Sequence, residues 1–216
     1  MARTPVPVVP SSRDKILDVA EALFARSGYS GIGMREVATE VGLGKSSLFH
    51  HFESKRSLYF LVLERVLGRV AEHLAPAFAA PHSPTERLDA LSDALIDALA
   101  EHPTSARLLL RSLFEVDPFP LGDGAAPEAE AGDAILLALI DSFQELISEG
   151  INCGEFREVS VGHTTQTIIG VAVFHFASGE FGNSVLGEPL FSADAIARRR
   201  SEQKAFFHNA LIRDAG

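Results

Sequence analysis

An all-α fold is predicted by three observations on the 216-residue sequence. Strict alternation of apolar and polar residues is absent, apolar residues recur at spacings of three and four almost everywhere after residue 12, and the periodic segments are separated by Gly, Pro and capping Ser. Roughly nine helices are expected. The first runs from about Ser12 to Ser27, with Ile16, Leu17, Ala20, Leu23 and Phe24 on one face and Gly28 as its stop. A short second helix covers Met34 to Val41, burying Met34, Val37, Ala38 and Val41, and Gly42 ends it. The third spans Lys45 to about His51, where only Leu48 and Phe52, at i and i+4, need to face inward.

From Ser54 a long helix carries Leu58, Leu61, Val62, Val66, Val70 and Leu74, until Pro81 and Pro84 break the pattern. "SPTE" at 83 to 86 reads as a capping box with Pro at the first helical position, so a new helix starts there and presents Leu88, Leu91, Leu95 and Ala98. Pro103 separates it from a short helix ending near Val116, and "DPFPLGDGAAPE" reads as a loop. Further helices are expected from about Ala129 to Gly150, from Val161 to Ser178 and, after a Gly-rich loop over 179 to 192, from Ser192 to about Arg213.

The apolar runs fall short of the ~20 residues that a membrane-spanning helix needs, and "MARTPVPVVPSS" reads as a flexible arm rather than a secretory signal. One cysteine, Cys153, leaves neither an intramolecular disulfide nor a cysteine metal cluster, so a cytoplasmic location is expected, with no cofactor and no metal. The net charge of −10 hides an asymmetry. Residues 1–58 hold eight Lys/Arg against six Asp/Glu, a net of +2, which leaves −12 for the remainder. A mildly basic head on an acidic body suits a protein that meets phosphate with one end only, although an acidic body also simply keeps a protein in solution.

Met34 to His51 form a unit of helix, tight turn at "GLG" and second short helix under a preceding amphipathic helix, which is a helix-turn-helix. In such a unit the second helix enters the major groove of DNA. With Leu48 and Phe52 inside, the opposite face shows Lys45, Ser46, Phe49 and His50, with Ser47 at its margin. Lys45 suits a phosphate or guanine, the serines a phosphate or base edge, and Phe49 a sugar or thymine methyl. His50 is placed for a base edge and His51 for a phosphate. Arg35 and Lys55 stand in the first turns of the flanking helices, where helix N-termini favour anions. On spacing alone, any three-helix cap could show such a polar short helix.

The run from "ILDVAEALFARSGYSGIGMREVATEVGLGKSSLFHHF" through "ESKRSLYFLVLERV" resembles the N-terminal DNA-binding domain of the tetracycline-repressor (TetR) family of bacterial transcription regulators. The matching features are "A..LF...GY", "REVA...G", "K.SLFHHF" and "SK..L". The resemblance covers about 55 residues; beyond it only the helical layout and phrases such as "GINCGEFR" match. It implies a homodimer whose last two helices form a four-helix bundle, a ligand pocket in the body, and DNA contacts at Arg35, Lys45, Ser46, Ser47, Phe49, His50, His51 and Lys55. Two departures stand out. Gly33 and Gly44 occupy the caps where the family has Ser or Thr, and Phe49 replaces its usual tyrosine.

The implied organisation is an arm at 1–11, a DNA-binding domain at 12–58 and a ligand-binding and dimerisation domain at 59–216. Phe114, Phe119, Phe143, Phe174 and Phe176 are available to line a pocket, and His175, within "VFHFA", and Gln166, with Thr165 and Thr167, to give polar contacts. Each is equally at home in an ordinary core. Ligand contacts are thus expected at Phe114, Phe143, Gln166, Phe174 and His175, and a dimer seam at Ile196, Phe206, Ala210 and Leu211. The Arg198 to Arg200 run reads as a solvated face pairing with the acidic body. No catalytic pattern is present: Cys153 has no partner motif, and His163, His175 and His208 are scattered. The expected function is a transcriptional regulator, a repressor released from a palindromic operator by a small, largely apolar effector, with double-stranded DNA, that effector and a second copy as partners and no membrane. The alternative is a helical binding or interaction module whose helix-turn-helix no longer reads DNA.

Overall fold

A computed structural model describes residues 11–115 and 129–213, and all ten elements among them are helices. The head comprises α1 (Ser12–Ser27), α2 (Met34–Val41) and α3 (Lys45–His51). The long α4 (Lys55–Phe78) leads into the body of α5 (Pro84–Glu101), α6 (Pro103–Ser112), α7 (Glu130–Asn152), α8 (Val161–Ala177), α9 (Glu180–Leu186) and α10 (Ala193–Leu211). The N-terminal arm, the loop at 117–128 and Phe119 lie outside the described residues.

Local chemistry sets the boundaries. Ser11 accepts from the Asp14 amide at 3.1 Å while Asp14 accepts from the Ser11 amide at 3.2 Å, and Ser83 and Glu86 repeat this reciprocal cap at α5. Ser54 caps α4 through the Ser57 amide, and Ser192 caps α10 through the Ala195 amide. Gly42 stops α2 in the left-handed region at φ 77°. The expected glycine-rich loop over 179–192 instead contains α9, which begins after Gly179 and stops at the left-handed Gly187, making ten helices rather than nine. Its seven residues show too little periodicity to announce a helix; Asn183 secures the turn that follows by accepting from the Leu190 amide.

Two cores meet along α4. The first gathers Ile16, Phe24, Val37, Leu48, Phe52, Leu58 and Val66, so it joins the head to the upper half of α4 and reaches Leu108 of α6. The second starts at Val70 and collects Leu88, Ile96, Phe143, Ile147, Phe176 and Phe207. α4 is therefore a shared beam, with a different side group below Val66 than above Val70. α10 is fastened to α5 by Arg200 on Asp93 and Asp97, Lys204 on Asp93, and a buried bond from Gln203 to Ser92. Arg198 pairs with Glu188 and Arg200 with Asp93 and Asp97, as expected of the run, whereas Arg199 is half-buried and donates to the Val171 carbonyl at 2.6 Å instead of meeting an acid. Leu211, expected at a dimer seam, is buried in the chain's own core, and its carbonyl accepts from the Arg157 amide at 2.8 Å. Among the described residues no helix is long and apolar enough to cross a membrane.

Candidate DNA-reading face and body cavity

α3 is anchored by two residues and open everywhere else. Leu48 is fully buried and Phe52 nearly so, both in the head core. Lys45, Ser46, Ser47, Phe49, His50 and His51 are exposed, as is Arg35 in the first turn of α2. Phe49 keeps 41% of its surface exposed, and the Lys45 ammonium lies 5.5 Å from its ring centroid. The structure thus brings seven of the eight expected DNA-contact residues to the solvent face of one unit. Lys55 is the exception. It is half-buried, with its ammonium 4.2 Å from the Tyr29 ring centroid, so it borders the face rather than projecting from it.

The two glycine caps behave differently. At Gly33 the Glu36 carboxylate accepts from the Gly33 amide at 3.0 Å, supplying half of a capping box without a cap side chain. At Gly44 no side chain caps α3, so its first amides take no side-chain partner at the cap, and a helix N-terminus in that state favours an anion.

The head is locked to the body by two acids that sequence reading missed. Glu21 of α1 is buried and receives Arg65 at 2.9 Å and Arg69 at 2.7 Å from α4, and Thr104 at 2.8 Å from α6. Burial alone would raise its pKa, but Arg69, then Arg65 and Thr104, outweigh burial and hold the carboxyl below its ordinary range. Glu115, just past α6, accepts from the Tyr29 amide and from the Tyr59 hydroxyl, each at 2.7 Å. Burial and this carboxylate push the Tyr59 hydroxyl well above the usual phenol pKa. Arg111 adds a bond at 3.3 Å to the Arg26 carbonyl at the end of α1. The sequence carries one signal of the first lock: Arg65 and Arg69 lie four apart, on one face of α4, and Glu21 is set into the apolar stripe of α1. The second depends on a residue 86 positions from its partner and carries no local signal.

Within the body α4 to α8 line an apolar cavity of about 210 Å³ that is partly open to the surface beside Leu113 and Phe174. Leu67, Val70, Leu99, Leu110, Phe143 and Phe174 are among its walls. Phe143 and Phe174 therefore stand where the sequence placed them. Three expected ligand contacts do not. Phe114 is 81% exposed beyond the end of α6 and borders a separate groove. Gln166 is exposed and does not border the cavity: it shares a face of α8 with the lining residues Ile169, Gly170 and Val173 but lies about one turn before the first of them. His175 is buried on the opposite side of α8 against the Phe176 ring and beside Arg199. Burial, with the Arg199 charge, pushes His175 down to about 4, and its Nε2 has no partner among the described residues, so it is a neutral core histidine. Thr165 and Thr167 bond their own helix carbonyls.

On the outer surface, α8 exposes His163, Gln166, Thr167, Gly170 and Phe174, and α10 exposes Ala205, Phe206, Asn209 and Ala210. Phe174 and Phe206 are each at least half exposed. Of the expected seam residues, Phe206 and Ala210 lie on this face, Ile196 is half-buried, and Leu211 is not available to it.

Residues 16–62 match the family described as bacterial regulatory proteins, tetR family. The HTH-type transcriptional activator FasR of Mycolicibacterium smegmatis is 27% identical over 150 residues, covering 69% of this chain and 66% of FasR. The biofilm operon icaADBC negative transcriptional regulator IcaR of Staphylococcus aureus is 45% identical over 47 residues, 22% of this chain and 25% of IcaR. The chain thus spans just under two thirds of the one relative's length and a quarter of the other's. Among solved structures, AibR in complex with isovaleryl coenzyme A and operator DNA superposes with a TM-score of 0.73 at 17% identity, over 91% of this chain and 97% of that one, a likeness of fold.

Proposed function

We propose, for a chain that belongs through residues 16–62 to the tetR family of bacterial regulatory proteins, that it is a ligand-responsive DNA-binding transcriptional regulator acting as a homodimer in the cytoplasm. Residues 12–58 form its DNA-binding domain and 59–216 its ligand-binding and dimerisation domain. One observation carries the reading. α3 buries only Leu48 and Phe52 in its own domain and offers every other side chain, a lysine and two histidines among them, to solvent beside its uncapped N-terminus.

Lys45 neutralises a phosphate or reads guanine, Ser46 and Ser47 donate to phosphate or base edge, Phe49 packs on a sugar or thymine methyl, and His50 and His51 complete the contact. Arg35 and Lys55 hold the flanking phosphates. Two copies joined through the exposed faces of α8 and α10 set their α3 helices into successive major grooves ~34 Å apart, so the operator is near-palindromic. FasR is named an activator and IcaR a negative regulator; we assign repression, with release on effector binding.

The effector occupies the apolar cavity. It shifts the dimer only by binding one geometry better than the other. α6 is the element placed to transmit that difference: Leu110 touches the cavity while Thr104 and Arg111 of the same helix grip α1. The activity is binding rather than catalysis.

Selection of bound duplexes from a random DNA pool tests the reading, with purified full-length protein at moderate salt and Lys45→Ala as control. Enrichment of a palindrome that the control loses is the expected result. A folded, dimeric protein that enriches nothing would instead be a ligand-binding module.

A further inference from the structure

The apolar cavity and the open groove beside it share a wall. Leu110 lines the cavity on one side and, on the other, the groove formed with Arg107, Arg111, Phe114, Glu115 and Ala177, where the Glu115 carboxylate is already engaged by the Tyr29 amide and the Tyr59 hydroxyl. Around α6, Arg107 and Arg111 lie one turn apart on the groove face, and Leu110 sits at the edge between that face and the cavity face.

The two compartments differ sharply in chemistry. Among the described residues, Ser112 is the only hydroxyl-bearing side chain bordering the cavity, and it is buried and already donates to the Leu109 carbonyl at 2.8 Å. A ligand hydroxyl or amide buried there without a partner would lose roughly 2–7 kcal/mol, and a carboxylate far more. Only hydrocarbon is at home inside. In the groove, Arg107 is exposed and has no hydrogen-bond or ion-pair partner among the described residues. Its like-charged neighbour Arg111 stands at i+4, an arrangement that disfavours the helix unless an anion lies between the two. Both sit in a body that is acidic overall.

Resting on the effector-binding reading above, we propose that the effector is an anionic amphiphile: its alkyl chain fills the cavity and its headgroup crosses Leu110 to pair with Arg107 and Arg111. At roughly the 30 Å³ that a water-sized group occupies in a liquid, a cavity of about 210 Å³ takes a chain of about six to eight carbons. The headgroup has a built-in consequence. Arg111 is also the residue that bonds the Arg26 carbonyl at the end of α1, so an anion that draws its guanidinium toward the groove weakens one of the contacts fastening the head.

Calorimetric titration of the full-length protein with octanoate and with 1-octanol tests this, since the two share a chain and differ in headgroup charge. Octanoate is expected to bind at least tenfold more tightly than octanol, and Arg107→Gln is expected to erase most of that preference. Shortening the chain from eight to five carbons should weaken binding about fourfold per methylene. Octanoyl-coenzyme A in place of octanoate separates a phosphate-bearing head from a free carboxylate; tighter, Arg107-dependent binding of either one supports the proposal and names the source. Equal affinity for octanoate and octanol, unchanged in Arg107→Gln, would overturn the anionic headgroup while leaving the cavity reading intact. Val173→Phe and Leu139→Phe, two independent fillings of the cavity, probe that reading itself: octanol binding indifferent to both in folded protein would overturn it. A folded wild-type protein that binds neither probe would overturn the proposal.

Discussion

The DNA-reading face and the cavity lie at opposite ends of the same physics. The face is made by six residues within the seven of α3, with Arg35 and Lys55 beside them, is largely polar, and keeps its groups in water until DNA displaces it. The cavity is made by five helices, is apolar, and owes its shape to packing between residues as far apart in sequence as Leu67 and Phe174. A function written into contiguous residues survives changes elsewhere in the fold. One written between helices is sensitive to any shift of those helices, which is the property a sensor needs. Between them stand the Glu21 and Glu115 locks, which belong to neither site and hold both in register.

Removing the Glu21 lock tests that division most severely. Glu21→Ala leaves Arg69 with only the Ser105 hydroxyl at 3.2 Å, while Arg65 keeps Asp18 at 2.8 Å. Breaking a buried pair costs up to about 3–5 kcal/mol, so chemical denaturation should show a loss toward the lower end of that range, and a loss within about 1 kcal/mol would mean that solvent and Asp18 already screen the lock. Because the folded pKa of Glu21 is depressed, its contribution is present above the ordinary carboxylate pKa and is lost as pH falls through the folded value.

His175 adds a second acid sensitivity, confined to the body. Its folded pKa of about 4 lies below the unfolded ~6.5, so between those values the unfolded chain holds the extra proton and stability rises with pH. The effect reaches up to roughly 3 kcal/mol at the acid end, from 1.36 kcal/mol per pKa unit. His175→Phe should flatten the profile of melting temperature between pH 4 and 6.5. An unchanged profile would place the proton elsewhere.

Lys45→Ala sharpens the contrast from the other side. It should weaken operator binding by about 1–3 kcal/mol and leave the melting temperature within 1 °C, because the side chain is exposed. Tyr59→Phe removes the donor to one Glu115 oxygen and should cost about 0.5–1.5 kcal/mol of stability; a neutral result would mean that water replaces the hydroxyl. The smallest effect is expected at the α3 cap. Gly44→Ser adds a side chain where only Ser46 Oγ lies nearby, at 4.0 Å, and should stabilise by a few tenths of a kcal/mol. At Gly33 the same change must first displace the Glu36 carboxylate, which lies 2.6 Å from the new Cβ, so the gain should vanish there.

This division also explains what was legible beforehand. The first three helices match the sequence reading residue for residue at their ends because Gly28, Gly42 and the Leu48/Phe52 pair mark them locally. The eight DNA-contact residues follow from that register and from the family motif, and seven of them share the solvent face. The cavity did not follow. Composition supplied phenylalanines, but whether Phe174 or His175 faces inward depends on the rotation of α8 against α6 and α7, which no local pattern fixes. Hence Phe174 borders the cavity while His175 does not; Gln166 stops a turn short of it, Phe114 lies beyond the end of α6, and the aliphatic walls went unnamed. Leu211 failed as a seam residue for the same reason: its face of α10 is taken by the core beneath it.

The most direct test of the account is the salt dependence of duplex binding by the full-length protein, measured by fluorescence anisotropy on the selected sequence. The logarithm of the affinity should fall linearly with the logarithm of salt concentration, by about 0.9 per phosphate neutralised, and Lys45→Ala should reduce the slope by about two, one phosphate for each protomer. A slope that Lys45→Ala leaves unchanged would mean that α3 is not the element lying against the DNA, and the central claim would fail.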